Sequence, residues 1–146
     1  MNDSLLDQLV MQFLSTLPLD TDGLWAWEAP EAPEADWPLT ASIDIPGTPA
    51  HRLEVGLTRA AAERLSGAIT GLTPADLRAD PGLAQDLTNE VANVLAGNLW
   101  PALPGATGIG LPQAGADLRP AERRVVRTYA IDGAAGLRVS VGEQQE

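Results

Sequence analysis

Between Asp80 and Pro101 the sequence specifies one long helix, and the fold has to be built around it. Asp80 can cap a helix start, and Pro81 suits the first helical position, where its missing N–H is not needed. Pro101 marks the stop, near Leu99. At about 100° per residue, Leu83, Leu87, Val91, Val94 and Leu95 fall within a sector roughly 120° wide. One face is therefore built to be buried. Asp86, Glu90, Asn93 and Gly97 fall in a separate sector of roughly 60°. They form the pattern D-x-x-x-E-x-x-N-x-x-x-G, which sets a carboxylate and a carboxamide one turn apart beside a residue with no side chain. Glycine inside a helix costs about 1 kcal/mol relative to alanine. Its place on the polar stripe points to something that comes close to the backbone. Asparagine is also a poor interior helix residue, yet Asn89, Asn93 and Asn98 all occur here. Asn98 falls toward the apolar side and reads as a buried polar or capping residue.

The flanking segments set the fold class. Residues 3–17 carry Leu5, Leu6, Leu9, Val10, Phe13 and Leu14 at helical spacing, with Asp3 or Ser4 as cap and Pro18 as stop. Leu39, Ala41, Ile43 and Ile45 alternate with polar residues. Pro46-Gly47-Thr48-Pro49 then turns the chain, and His51, Leu53, Val55 and Leu57 alternate again, which predicts a hairpin with one buried face. Thr58 caps a helix to about residue 69, and Thr73-Pro74 opens a short helical turn. Residues 104–117 are rich in Gly and Pro, with Thr107 to Leu111 a candidate short strand. Arg119 to Ile131 and Leu137 to Val141 form a terminal hairpin joined through Asp132 to Gly136. The order predicts an α+β domain, an antiparallel β-sheet with helices packed on one face. The 146 residues fit a single domain.

One stretch departs from this pattern, an acidic, Pro/Ala-rich connection at about 20–38. Glu28-Ala29-Pro30-Glu31-Ala32-Pro33-Glu34-Ala35-Asp36 reads as an extended, solvated segment rather than a docking site for a basic partner. Trp25, Trp27 and Trp37 flank it and can pin it to the domain.

Composition narrows the chemistry. There is no cysteine, which excludes disulfides, thiol catalysis and thiolate metal sites. There is no lysine, which removes Schiff-base chemistry and a Walker lysine. A formal net charge of -11 makes a poor nucleic-acid binder. No basic amphipathic segment or long apolar run points to a membrane, and Met1-Asn2-Asp3-Ser4 lacks the basic start of a secretory signal. These features fit a cytoplasmic protein. His51, the one histidine, reads as a satisfied or exposed strand residue, and no metal site is expected in the chain.

The pattern Asp86-x-x-x-Glu90-x-x-Asn93-x-x-x-Gly97-Asn98, with its core Glu-Val-Ala-Asn-Val-Leu-Ala-Gly-Asn, resembles the signature of the CheX/CheC family of chemotaxis phosphatases. The order of elements over most of residues 1–142 is similar too. The resemblance implies an enzyme that hydrolyses the aspartyl phosphate of a CheY-like response-regulator receiver domain. By position, Glu90 would contact the receiver's lysine and orient docking, and Asn93 would place the attacking water. Asp86, Asn89 and Gly97 would belong to the partner-binding surface. Mg2+ would sit on the receiver. CheC-type proteins carry two copies of the motif and this chain carries one. That points to the CheX-type branch, in which two subunits pair as a homodimer. The residue types suit the chemistry. Acyl-phosphate hydrolysis needs water placement more than covalent catalysis. A carboxamide can accept from water and donate to a phosphoryl oxygen at once. The alternative is a module that docks on a receiver or another signalling partner without turnover.

Overall fold

The structure, a computed structural model, describes residues 1–27, 37–115 and 121–144, and the side chains within them except those of residues 121–123. Helix α1 (Asp3–Ser15) is followed by a short 3-10 turn (Thr21–Gly23) and strand β1 (Trp25–Ala26). Strands β2 (Leu39–Ile45) and β3 (His51–Leu57) form the expected hairpin. Helices α2 (Arg59–Thr70), α3 (Pro74–Ala79) and α4 (Pro81–Leu99) come next. Strands β4 (Gln113–Ala114), β5 (Ala121–Ile131) and β6 (Ala134–Gln144) close the chain. The six strands form one sheet in the order β1-β5-β6-β3-β2-β4, antiparallel throughout. This is the α+β architecture expected from the sequence.

The alternation in β3 explains the layering. Leu53, Val55 and Leu57 stand opposite Val141, Val139 and Leu137 of β6, and opposite Ile43, Ala41 and Leu39 of β2. All nine are buried. Burying each such side chain stabilises the fold by about 1.5–3 kcal/mol for the larger ones. Helix α4 lies over β2 and β3, α1 over β5, and α2 over β6.

A polar cluster fastens α1 to β5. Arg127 donates from Nε and Nη2 to the two carboxylate oxygens of Asp7, at 2.8 Å each, and the Tyr129 hydroxyl donates to Asp7 Oδ1 at 2.9 Å. Arg127 and Tyr129 are both buried. Burial, reinforced by the hydrogen bond to Asp7, pushes the Tyr129 phenol far above its ordinary value. The bond to Asp7 raises the Arg127 guanidinium despite its burial.

Several local expectations are corrected. Asn2, not Asp3 or Ser4, caps α1; its side chain accepts from the Leu5 N–H at 2.8 Å. Thr107 to Leu111 is not a strand. The segment follows the outer edge of β2 through isolated bonds, Thr107 N–H to Pro46 O and Gly110 N–H to Asp44 O, before the two-residue β4 pairs regularly. Glycines at 105, 108 and 110 weaken strand formation there. The final turn is shorter than Asp132 to Gly136: only Asp132 (φ 55°) and Gly133 (φ 80°) lie outside the strands. Two consecutive positive φ angles mark a tight hairpin turn whose twist matches its strands. Part of the acidic connection is structured, because Trp25–Ala26 pairs with β5 and the Trp27 N–H bonds Thr128 O. Its centre, 28–36, lies outside the described residues.

Candidate functional site

Helix α4 is positioned at both ends. The Asp80 side chain accepts from the Gly82 N–H at 3.0 Å, and Pro81 occupies the first helical position. Near its start, Gln85 donates to the Thr40 carbonyl at the beginning of β2. Beyond its end, the Thr48 N–H bonds Gly105 O after β2. The helix therefore runs along β2 in the same direction.

Its buried face consists of Ala84, Leu87, Thr88, Val91, Ala92, Leu95, Ala96 and Leu99. Small residues on this arc let the helix lie close to the sheet, and the Thr88 hydroxyl is satisfied by Ala84 O at 2.8 Å. The arc is wider than the leucine and valine sector, because alanines extend it. Leu83 and Val94 are only half-buried at its margin. The centre of the arc lies about half a turn from the Asp86, Glu90, Asn93 and Gly97 stripe. The stripe is thus on the helix side farthest from the sheet. Asn98 corrects an expectation: it is exposed, not buried. It lies in the last turn, where the sector that holds Leu87 and Val91 is no longer covered.

The five site residues share this outward surface. Asp86 and Glu90 are exposed, and Asn89, Asn93 and Gly97 are half-buried. At i and i+3, Glu90 and Asn93 have Cβ atoms about 5–6 Å apart. Neither side chain makes a hydrogen bond or ion pair with a described residue. Both are therefore available to a second molecule. Asn89 is engaged on one side: its Oδ1 accepts from Gln85 Nε2 at 2.9 Å. A Cβ added at Gly97 would meet no atom within 4 Å. The glycine is not required by packing within the chain.

The helix carries no basic residue between Pro81 and Leu99. Chemically the stripe offers two carboxylates, an amide with donor and acceptor functions, and open backbone. Among the described residues no group of three or more His, Asp or Glu side chains is arranged to hold a metal ion. No helix among them is long and apolar enough to cross a membrane.

His51 lies elsewhere and is neither satisfied nor exposed. It is 6% exposed and its Nδ1 is buried without a hydrogen-bond partner. It borders a cavity of about 340 Å3 with Met1, Pro49, Pro104, Val141 and Glu143. Inward strand positions at a sheet end are apolar by default, and nothing in the alternation distinguishes a polar residue placed there.

No protein-family model matches the sequence, and no curated protein does. Solved structures match over nearly the full length. A chain of the CheX–CheY–BeF3–Mg2+ complex from Borrelia burgdorferi superposes with a TM-score of 0.74 at 12% identity, covering 96% of each chain. A chemotactic CheC-like protein from Shewanella oneidensis gives 0.71 at 12% identity, covering 95% of each. Chemotaxis protein CheX from Vibrio vulnificus gives 0.69 at 12%, covering 95% of this chain and 96% of its own. From its first helix to its last strand, this chain has the fold of the CheX- and CheC-like chemotaxis proteins.

Proposed function

We propose that this protein hydrolyses the aspartyl phosphate of a CheY-like response-regulator receiver domain. The observation that carries the reading is the outward stripe of α4. Glu90 and Asn93 stand one turn apart, without a hydrogen bond or ion pair to any described residue, beside a glycine whose Cβ position is open. The CheX-like fold and the complex of such a protein with CheY support the choice of partner.

The chemistry divides between two molecules. Asn93 accepts a hydrogen bond from water and donates to a phosphoryl oxygen, which holds the water in line with the scissile bond. Water attacks phosphorus, the P–O bond to the aspartyl oxygen breaks, and the products are a free carboxylate and inorganic phosphate. Glu90 would repel the phosphoryl group if unpaired, so it meets a lysine of the receiver in a charge-assisted contact. Asp86, Asn89 and Gly97 belong to the docking surface. Mg2+ is held by the receiver, and the receiver places the reaction in the cytoplasm. The active form is a homodimer. Among the described residues the edge strands β1 and β4 are only two residues long, and strand edges invite pairing with a second chain.

The test is the decay of a phosphorylated receiver with and without the protein. Wild type accelerates decay. Asn93→Ala keeps docking and loses on the order of 10²-fold in rate, the usual worth of one orienting group. A wild-type protein that docks but leaves the decay rate unchanged is an interaction module, and the hydrolytic reading falls.

A further inference from the structure

We infer that Asn89 supplies a second amide contact to the phosphoryl group, and that Gln85 is the positioning residue that turns its donors outward. The inference rests on the receiver-phosphatase reading above and extends it to two further side chains.

The argument starts from a backbone carbonyl. Gln85 Nε2 lies 2.9 Å from Thr40 O and 2.9 Å from Asn89 Oδ1. A carbonyl oxygen only accepts, so the Gln85 atom that faces it has to be the NH2 group. The same nitrogen faces Asn89, which must therefore turn its oxygen toward Gln85. The Thr40 carbonyl is itself held, because it also accepts from the Gly115 N–H at 2.9 Å, beside the β2 and β4 pairing. Orientation passes from the sheet edge to Gln85 and from Gln85 to Asn89.

The result is a donor-only group at the flank of the stripe. Asn89 Nδ2 has no hydrogen-bond partner among the described residues. Asn89 precedes Asn93 by four residues, so the two lie on adjacent turns about 40° apart around the helix. Gln85, Asn89 and Asn93 thus form a row of amides that leads from the sheet edge to the stripe. This answers an electrostatic need. Asp86 and Glu90 put negative charge on the stripe, and α4 has no basic residue to offset it. A phosphoryl oxygen arriving there needs N–H donors. An untethered asparagine would have to be turned when the anion arrives, whereas a tethered one is already aimed, which removes that reorganisation.

The test uses binding to a receiver with and without beryllofluoride, a phosphoryl mimic, so that it does not depend on turnover. Gln85→Glu replaces the donor by an acceptor. Asn89 then turns its NH2 inward and presents its oxygen to the phosphoryl group. Gln85→Leu removes the tether, and Gln85→Lys restores a donor. Wild type prefers the loaded receiver. Gln85→Glu and Asn89→Asp lose about tenfold of that preference, as for a charge-assisted bond. Gln85→Leu loses less, and Gln85→Lys recovers most of what the leucine variant loses. The side-chain amide resonance of Asn89, recorded without receiver, shifts in Gln85→Glu as its N–H becomes bonded. Variants that keep the wild-type preference overturn the inference while leaving hydrolysis intact. Equal losses in all three Gln85 variants, matched by equal losses in melting temperature, also overturn it, because they mark a purely structural tether. If wild type shows the preference and the glutamate variant loses it, yet no protein accelerates decay, the inference stands and the hydrolytic reading falls. If wild type binds neither form of the receiver, both fall.

Discussion

Gly97 offers a perturbation whose effects on stability and on docking should have opposite signs. A Cβ at this position meets no atom within 4 Å, and the residue lies within the helical span Pro81–Leu99. Gly97→Ala therefore adds a methyl group without a clash and removes backbone freedom from the unfolded chain. The gain is about 0.5–1 kcal/mol, reduced somewhat by proximity to the helix end. For a chain of this size that raises the melting temperature by about 2–4 °C per kcal/mol. On the proposed function the receiver approaches the backbone at Gly97, so docking should respond the other way. The alanine methyl interferes slightly, and Gly97→Leu interferes strongly while the fold survives. The measurements are thermal melts of both variants and their affinity for a beryllofluoride-loaded receiver. A destabilised alanine variant would show that the backbone at Gly97 is constrained in some way the open space does not reveal. A stable leucine variant that binds and turns over as wild type does would refute the close approach.

Four further outcomes follow from the same geometry. On the proposed function Glu90→Ala should lose hydrolysis with part of the binding, and like Asn93→Ala should leave the melting temperature nearly unchanged, since neither side chain makes a hydrogen bond or ion pair with a described residue; a melt of each variant checks this. Asp7→Ala removes both short hydrogen bonds of the buried Arg127, leaving it the more distant Asp3 carboxylate at 3.9 Å, and should cost about 3 kcal/mol in denaturant unfolding. Tyr129 is the only tyrosine, and the chain has neither lysine nor cysteine, so its raised phenol should dominate the alkaline limb of stability. Its contribution is fully present below the unfolded value near 10.0 and then falls by about 1.4 kcal/mol per pH unit as pH rises, because the unfolded chain releases the proton and the native one keeps it; Tyr129→Phe should flatten that limb in urea titrations from pH 9 upward, by about the same slope. A homodimer should sediment at about twice 15.3 kDa at micromolar concentration, and a 15.3 kDa species there would remove the dimer from the reading.

The helices and long strands were legible because each carries its own periodicity and stop signals. Asp80-Pro81 and Thr58 cap α4 and α2 as their residue types require. The buried arc of α4 was underestimated because Ala84, Ala92 and Ala96 are nearly neutral in a hydrophobic pattern yet fully enclosed against the sheet. Strand order was not legible. The chain ends in a hairpin, but β6 sits between β5 and β3 and β5 between β1 and β6, so among the described residues the edge strands are β1 and β4. Register across β3 and β6 depends on residues about eighty positions apart, such as Val55 and Val139, which no local pattern connects. The Asp7, Arg127 and Tyr129 cluster was hidden for the same reason. The stripe on α4 was visible because its members are local, whereas Gln85 was not. A glutamine on a helix has no signature until the carbonyl of Thr40 is placed beside it.

On the proposed function, a division of charge between the partners follows from what α4 lacks as well as what it carries. Its stripe has two carboxylates and amides but no cation. A stripe built this way cannot attract a phosphoryl group by itself; at the surface, unit charges 4 Å apart interact by about 1–4 kcal/mol, here with the unfavourable sign. On the proposed function, attraction would come from cationic groups on the receiver, a lysine for Glu90 and Mg2+ for the phosphoryl oxygens. The arrangement makes the acidic residues selective. An isolated acyl phosphate, with no lysine or metal beside it, meets only repulsion. A receiver that presents cation and phosphoryl group together meets Glu90 and the amides at once. Selectivity then arises from requiring both features in one surface, which is a function that Asp86 and Glu90 can serve without entering the chemical step.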